Sequence, residues 1–166
     1  PPFLNMAYTS FSLVAWVKPN TLRNATSSTS DNAIFGQYEN NTQDRSLHII
    51  VRRQRIYLGF YSDDIQGNKT LYPNNWYHVS IFYILFLMKN CFYSYVKMAY
   101  IYDYTTLTQY VYVNGVLDVS GSPKGPYKGS TGDLTIGTNG VWYPYNHWDG
   151  CLDEIAYYAR VKGYIS

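Results

Sequence analysis

The residues with the most chemical character lie in one short stretch, Val141-Trp142-Tyr143-Pro144-Tyr145-Asn146-His147-Trp148-Asp149. It packs two Trp and two Tyr into seven positions, next to Asn, His and Asp. Flat aromatic rings flanked by amides and carboxylates are what sugar rings stack against, and loops display such groups on rigid scaffolds. The same rings would equally cover the end of a folded layer while their polar tips stay wet. Tyr57, Tyr61 and Tyr112, on extended stretches elsewhere, are candidates for the same concave face. With Trp142, Tyr143, Tyr145, His147 and Trp148 they form the candidate ligand-binding set.

Other chemistries find less support. Glu39 and Glu154 are the only glutamates. The carboxylates of adjacent Asp63 and Asp64 diverge in an extended segment, which reads as a solvated turn, and Asp153-Glu154 splits across the two faces of a strand. Ser, His and Asp all occur, but without the Gly-x-Ser-x-Gly elbow that aims a serine nucleophile. His48, His78 and His147, 30 and 69 residues apart, have no zinc-ligand spacing. Arg52, Arg53 and Arg55 are the only basic cluster; they suit an anionic glycan, or simply an exposed β-turn. A net charge of +2, from 13 basic and 11 acidic residues, excludes the concentrated basic stripe that nucleic acid requires. No enzyme activity is expected.

These groups must be positioned by β-structure. The chain of 166 residues is one domain's worth, and its 14% charged and 19% aromatic content is too apolar for disorder. Short runs rich in Val, Ile, Tyr, Phe and Trp alternate with Gly, Pro, Asn, Asp and Ser, the pattern of strands and turns. The runs predict strands at Phe11–Lys18, Ala33–Tyr38, Leu47–Arg52, Arg55–Tyr61, Trp76–Tyr83, Gln109–Val113, Val116–Ser120, Leu134–Thr138 and Cys151–Ala159. Asn114-Gly115 between two runs predicts a two-residue hairpin, because both turn positions need positive φ. Leu47, Ile49 and Val51 face one way against His48, Ile50 and Arg52. Ile56, Leu58 and Phe60 oppose Arg55, Tyr57, Gly59 and Tyr61, a set suited to a partly wet face. Phe11–Val17 carries apolar residues on both faces, as a central strand does. No apolar stripe at helical spacing persists for three turns. The expected architecture is all-β, a two-sheet antiparallel sandwich clamped by Trp16, Trp76 and their aliphatic neighbours.

Pro1-Pro2-Phe3-Leu4-Asn5 does not have the form of a signal peptide, and the absence of an initiator Met suits a segment of a larger protein. The apolar run Val79–Met88 ends at Lys89, too short for a spanning helix, so no membrane insertion is expected. Three sequons, at Asn24, Asn40 and Asn68, lie in polar stretches where glycans are tolerated.

Four segments carry a resemblance. Phe11-Ser12-Leu13-Val14-Ala15-Trp16-Val17-Lys18-Pro19 looks like an opening strand, Trp76-Tyr77-His78-Val79-Ser80 like a central Trp-x-His-Val strand, Tyr110-Val111-Tyr112-Val113-Asn114-Gly115 like a "YVNG" hairpin, and Gly150-Cys151-Leu152-Asp153-Glu154-Ile155 like a closing Gly-x-Ile-Asp-Glu-Val strand. In this order they resemble the laminin-G-like domains of the concanavalin A-like lectin/glucanase superfamily. The resemblance implies a jelly-roll sandwich, an extracellular or cell-surface setting, and a non-catalytic module that binds glycan or protein through rim loops. A structural or adhesive spacer with no small ligand is the alternative. The glucanase motif Glu-x-Asp-x-x-Glu is missing. The resemblance further implies that His78 is a structural histidine, and that calcium is possible. Asp153, Asp149, Asn146 and Asp133 are the candidate ligands, and only Asp153 matches a family position.

The chain departs from the pattern at residues 84–102 (ILFLMKNCFYSYVKMAYIY), which intervene before the "YVNG" strand. Deleting them joins Tyr83 to Asp103-Tyr104-Thr105-Thr106 and restores the usual turn. The segment has no Gly, Pro, Asp or Glu and reads as translated non-coding sequence within a single 1–166 domain, or as a genuine hairpin extension. Cys91, inside it, could pair with Cys151 only if it folds back over the last strand; otherwise Cys151 is expected to be a lone buried thiol.

Overall fold

A computed structural model describes residues 4–23, 31–79, 99–121, 125–140 and 146–159. Eleven strands follow in chain order: β1 Phe11–Pro19, β2 Asn32–Tyr38, β3 Ser46–Arg52, β4 Arg55–Gly59, β5 Asp64–Gln66, β6 Tyr77–Val79, β7 Ala99–Asp103, β8 Thr108–Val113, β9 Val116–Gly121, β10 Asp133–Ile136 and β11 Gly150–Tyr158. There is no helix among the described residues. The strands form two antiparallel sheets. The first runs β11-β1-β7-β8-β9, with β6 also paired to β1, and the second runs β10-β2-β3-β4-β5. All nine predicted strands are present within a few residues, although residues 80–83 of the predicted Trp76–Tyr83 strand lie outside the described set.

Alternation builds the core. Phe11, Leu13, Ala15 and Val17 of β1 meet Leu47, Ile49 and Val51 of β3 and Ile56 and Leu58 of β4, all fully or almost fully buried. Phe60, Tyr102 and Tyr127 complete the interior, with ring centroids 4.9 Å apart for Phe60–Tyr102 and for Phe60–Tyr127. Trp16 and Trp76 do not clamp this core. Trp16 has the opposite parity to Val17, so it points off the outer face, and Trp76 precedes β6 and is 45% exposed. Tyr77, next to Trp76, is the residue that faces inward.

The Asn114-Gly115 turn has φ of 58° and 74°, as the hairpin requires. Arg53 and Gln54 close the β3–β4 hairpin in the same left-handed region, at 51° and 59°. Asp63 departs from its reading as solvated. It is 2% exposed and accepts from Gln43 Nε2 and from the Gly125 backbone N–H. Cys151 is exposed and forms no disulfide, not buried as expected, because β11 is an edge strand and Cys151 pairs with outward-facing Lys18. Cys91 lies outside the described residues.

β6 and β7 share one edge of β1. Val79 pairs with Ala15, and Ala99 pairs with Val14. Residues 79 and 99 therefore occupy successive register positions, as consecutive residues of one strand would. Of the segment 84–102, residues 99–102 belong to β7 and the rest lie outside the described set.

Candidate functional site

The outward face of the second sheet carries a linked set of polar side chains. Strand parity puts His48 and Arg52 of β3, Tyr57 of β4 and Asp64 of β5 on it, opposite the core-facing residues. Register aligns Thr135, Gly36, His48, Gly59 and Asp64 in one row across all five strands. Both neighbours of His48 in that row are glycines, and each leaves room that another side chain uses. A Cβ on Gly59 would lie 1.5 Å from Asp64 Oδ1, so the Asp64 carboxylate occupies the space a side chain there would take. From this position it reaches His48 Nε2 at 3.2 Å and accepts from Tyr57 OH at 3.3 Å. On the other side, Asn139 Cβ stands 2.7 Å from where a Gly36 Cβ would be.

The network continues along the face. The Tyr57 ring stacks on His48 with planes 15° apart and carries the Arg52 guanidinium 4.3 Å above its centroid. Arg52 donates two bonds, of 2.7 and 2.6 Å, to the carboxylate of Asp31. Burial alone would lower the Arg52 pKa, but those bonds and the Asp31 charge raise it. Burial and the Asp64 charge push the Tyr57 phenol up, so it stays neutral and donates at physiological pH.

Residues 137–140 and 146–148, which follow β10, cover part of this face as a roof. Trp148 N–H donates to Gly137 O, and a bridge between Thr138 and His147 closes the loop base. Within it Asn146 donates to Asn139 Oδ1 and accepts from the Asp31 backbone N–H. Asn139 Nδ2 is buried with no partner. Beyond the roof, Tyr57 and Gln66 are half-buried and Arg55 is exposed, which leaves the β4–β5 side of the face open.

The predicted ligand-binding residues are not all brought together. Tyr57 stands on this face. Tyr61 sits in the turn after β4, with φ of 66°. Tyr112 is on the other sheet, packed with Ile101 and Tyr110 on its outer side, so it does not share a face with Tyr57. His147 accepts from Arg23 at 3.3 Å, and the Trp148 indole packs at the core edge and donates to Cys151 O. Trp142, Tyr143 and Tyr145 lie outside the described residues.

The four candidate metal ligands are dispersed. Asp149 accepts from Thr21 and Asn20, Asn146 is bound within the roof, Asp133 is on β10, and Asp153 accepts from the next backbone N–H. Among the described residues no three His, Cys, Asp or Glu side chains are grouped to hold a metal ion. His78 is buried and stacks on Trp16 at 4.1 Å, in keeping with a structural role. Of the sequons, Asn40 is exposed, Asn68 donates its amide to Asp118 O, and Asn24 lies outside the described set.

No pattern in the sequence links His48, Asp64, Arg52 and Asp31 as a group. Alternation already put His48 and Arg52 on one side of β3 and Tyr57 on one side of β4. Three-residue β5 and the roof, which bring in Asp64 and Asn139, have no such signal.

The family model of the concanavalin A-like lectin/glucanases superfamily, laminin-G type, matches residues 93–163. Comparison with curated protein sequences gives no match. Among solved structures, the sialidase module CBM40 of Ruminococcus gnavus bound to α2,3-sialyllactose superposes with a TM-score of 0.63 at 14% identity, over 95% of this chain and 80% of that one. Domains LG4-5 of the mouse laminin α1 chain give 0.61 at 12%, over 96% and 37%. Domain 4 of the extracellular arabinanase AbnA of Geobacillus stearothermophilus, in complex with arabinotriose, gives 0.59 at 20%, over 92% and 61%. In the last two cases this chain spans less than two thirds of the matched chain. The fold is that of a laminin-G-like jelly-roll sandwich of the concanavalin A-like class.

Proposed function

We propose that this domain is a non-catalytic recognition module, acting outside the cell or at its surface, that binds carbohydrate on the outer face of the second sheet, with the aromatics of residues 142–148 as further contacts. The observation that carries the reading is the interlinked group Arg52–Tyr57–His48–Asp64 on the outer sheet face, which fixes half-buried Tyr57 at the open β4–β5 side while His48 stays buried beneath. Preorganised polar groups beside an aromatic surface are the usual composition of a sugar site. Its likeness in fold to carbohydrate-binding modules supports the same reading. A non-catalytic role is supported by the glutamates, since Glu39 is engaged by Arg45 and Glu154 by the Trp16 indole, on different sheets.

The test is a glycan array followed by calorimetry, with and without calcium. Tyr57→Ala is expected to weaken the best glycan about tenfold or more, equivalent to about 1.4 kcal/mol, and Trp142→Ala with Trp148→Ala to weaken it further. Array signal and fold unchanged in all three variants would defeat the lectin reading and leave a structural or adhesive spacer. Loss of binding on chelation would support a calcium-dependent site.

A further inference from the structure

We propose a second carbohydrate subsite, in a cleft of about 420 Å³ between the loop before β6 and the β8–β9 turn, that takes a single pyranose ring. The inference rests on the reading of the domain as a carbohydrate-binding module, but not on the face of the second sheet.

Trp76 is 45% and Tyr72 59% exposed, and both line the cleft. Large aromatics left in water on a well-packed domain forgo burial at roughly 25 cal/mol per Å², so a grouped, exposed pair points to a ligand. The Trp76 ring is held in place. Trp76 meets Trp16 edge-on, with centroids 6.3 Å apart and planes at 89°. Trp16 is itself fixed by its stack on His78 and by an indole N–H bond of 3.1 Å to Glu154.

The loop carrying both aromatics is tied at several points. Tyr72 N–H donates to the buried Tyr77 hydroxyl at 2.8 Å, and Asn74 N–H donates to Pro19 O at 2.6 Å. The facing walls are equally fixed. Backbone N–H groups of Asn68 and Lys69 both donate to the Asp118 carboxylate, and Asn114 exchanges bonds with the His78 backbone. The cleft is thus preformed, which spares a ligand the cost of ordering its site. Asn75, Asn114 and Lys69 line it and supply an amide acceptor, an amide donor and an ammonium. Two exposed aromatics and such polar groups lining one cleft match the apolar face and peripheral hydroxyls of one sugar ring.

Saturation-transfer NMR on the full chain, with the methyl glycosides of glucose, galactose and mannose and with sodium glucuronate as probes, tests this. At least one probe should bind, and Trp76→Ala should weaken it about tenfold or more. Trp76→Phe, which keeps a ring, should stay within about fivefold, while Tyr57→Ala leaves this site untouched. A tighter glucuronate complex that weakens with salt would assign Lys69 to a carboxylate; equal binding of neutral probes would assign it to hydroxyls, and either supports the subsite. If folded Trp76→Ala binds as wild type while Tyr57→Ala loses binding, the subsite is wrong and the sheet face stands. If no probe shows transfer and no glycan binds on the array, both fall.

Discussion

Asp31 is 1% exposed, and its carboxylate is matched by the two-bond contact with Arg52, whose side chain is 18% exposed. Removing Arg52 strands a buried charge, a loss of about 3–5 kcal/mol where this has been measured for buried pairs. Arg52→Ala should therefore lower the denaturant midpoint far more than Arg53→Ala, whose side chain lies on an exposed turn. Glu39 provides a pH signature. Burial alone would raise its pKa, but the backbone N–H groups of Ser130 and Thr131 and the Arg45 guanidinium outweigh that and hold it below the ordinary 4.5. A lowered native pKa contributes stability that is present above about pH 4.5 and lost as pH falls through the native value. Glu39→Gln should flatten the stability profile in that acid window and leave its slope near neutrality unchanged, as followed by urea unfolding at stepped pH. Neither partnership is legible in the sequence. Arg52 read as part of an exposed basic turn, and nothing in the chain links it to Asp31, 21 positions earlier across a hairpin.

Element by element, the strands that read clearly were those with strict alternation and defined turns. β3 and β4 showed their two faces, and Asn114-Gly115 identified its own hairpin. β5 carries no sequence signal because three residues, Asp64-Ile65-Gln66, are too few to show a period. β7 has no separate signature because residues 99–102 continue the apolar stretch 84–102 with no turn residue to mark where a strand begins. Register resolves the difficulty: Val79 and Ala99 pair with neighbouring residues of β1, so a chain lacking 80–98 can run through as one strand. Deleting 84–102 instead leaves Ser80-Ile81-Phe82-Tyr83 for the slots of Ala99-Tyr100-Ile101-Tyr102, with Tyr83 in place of the buried Tyr102. Both shortened chains should fold with a β-sheet circular dichroism spectrum and a cooperative melt. Failure of both would show that the intervening residues are required by the sandwich. Success would support their reading as an insertion, and the absence of their codons from spliced message would establish a non-coding origin.

At the scale of the molecule, two stacked sheets give one core and several independent surfaces, which is why a single sandwich can carry a sheet-face site and a cleft between loops. The outline of this architecture was legible in four short motifs, because those motifs mark strand ends and turns that any such sandwich must form. The surfaces are not, since they depend on which loop folds over which strand: Asn139 above Gly36, Lys69 bonded to Asp118. β1 is central to the first sheet, and its neighbour on one side is assembled from two pieces. Because the chain leaves and rejoins the sheet opposite adjacent residues, loop closure there costs little, growing only slowly with length. Val79–Ala99 is accordingly a natural graft point. A guest protein whose own ends lie close together could replace the intervening residues, and its folding would be reported by whether the host still melts as one unit.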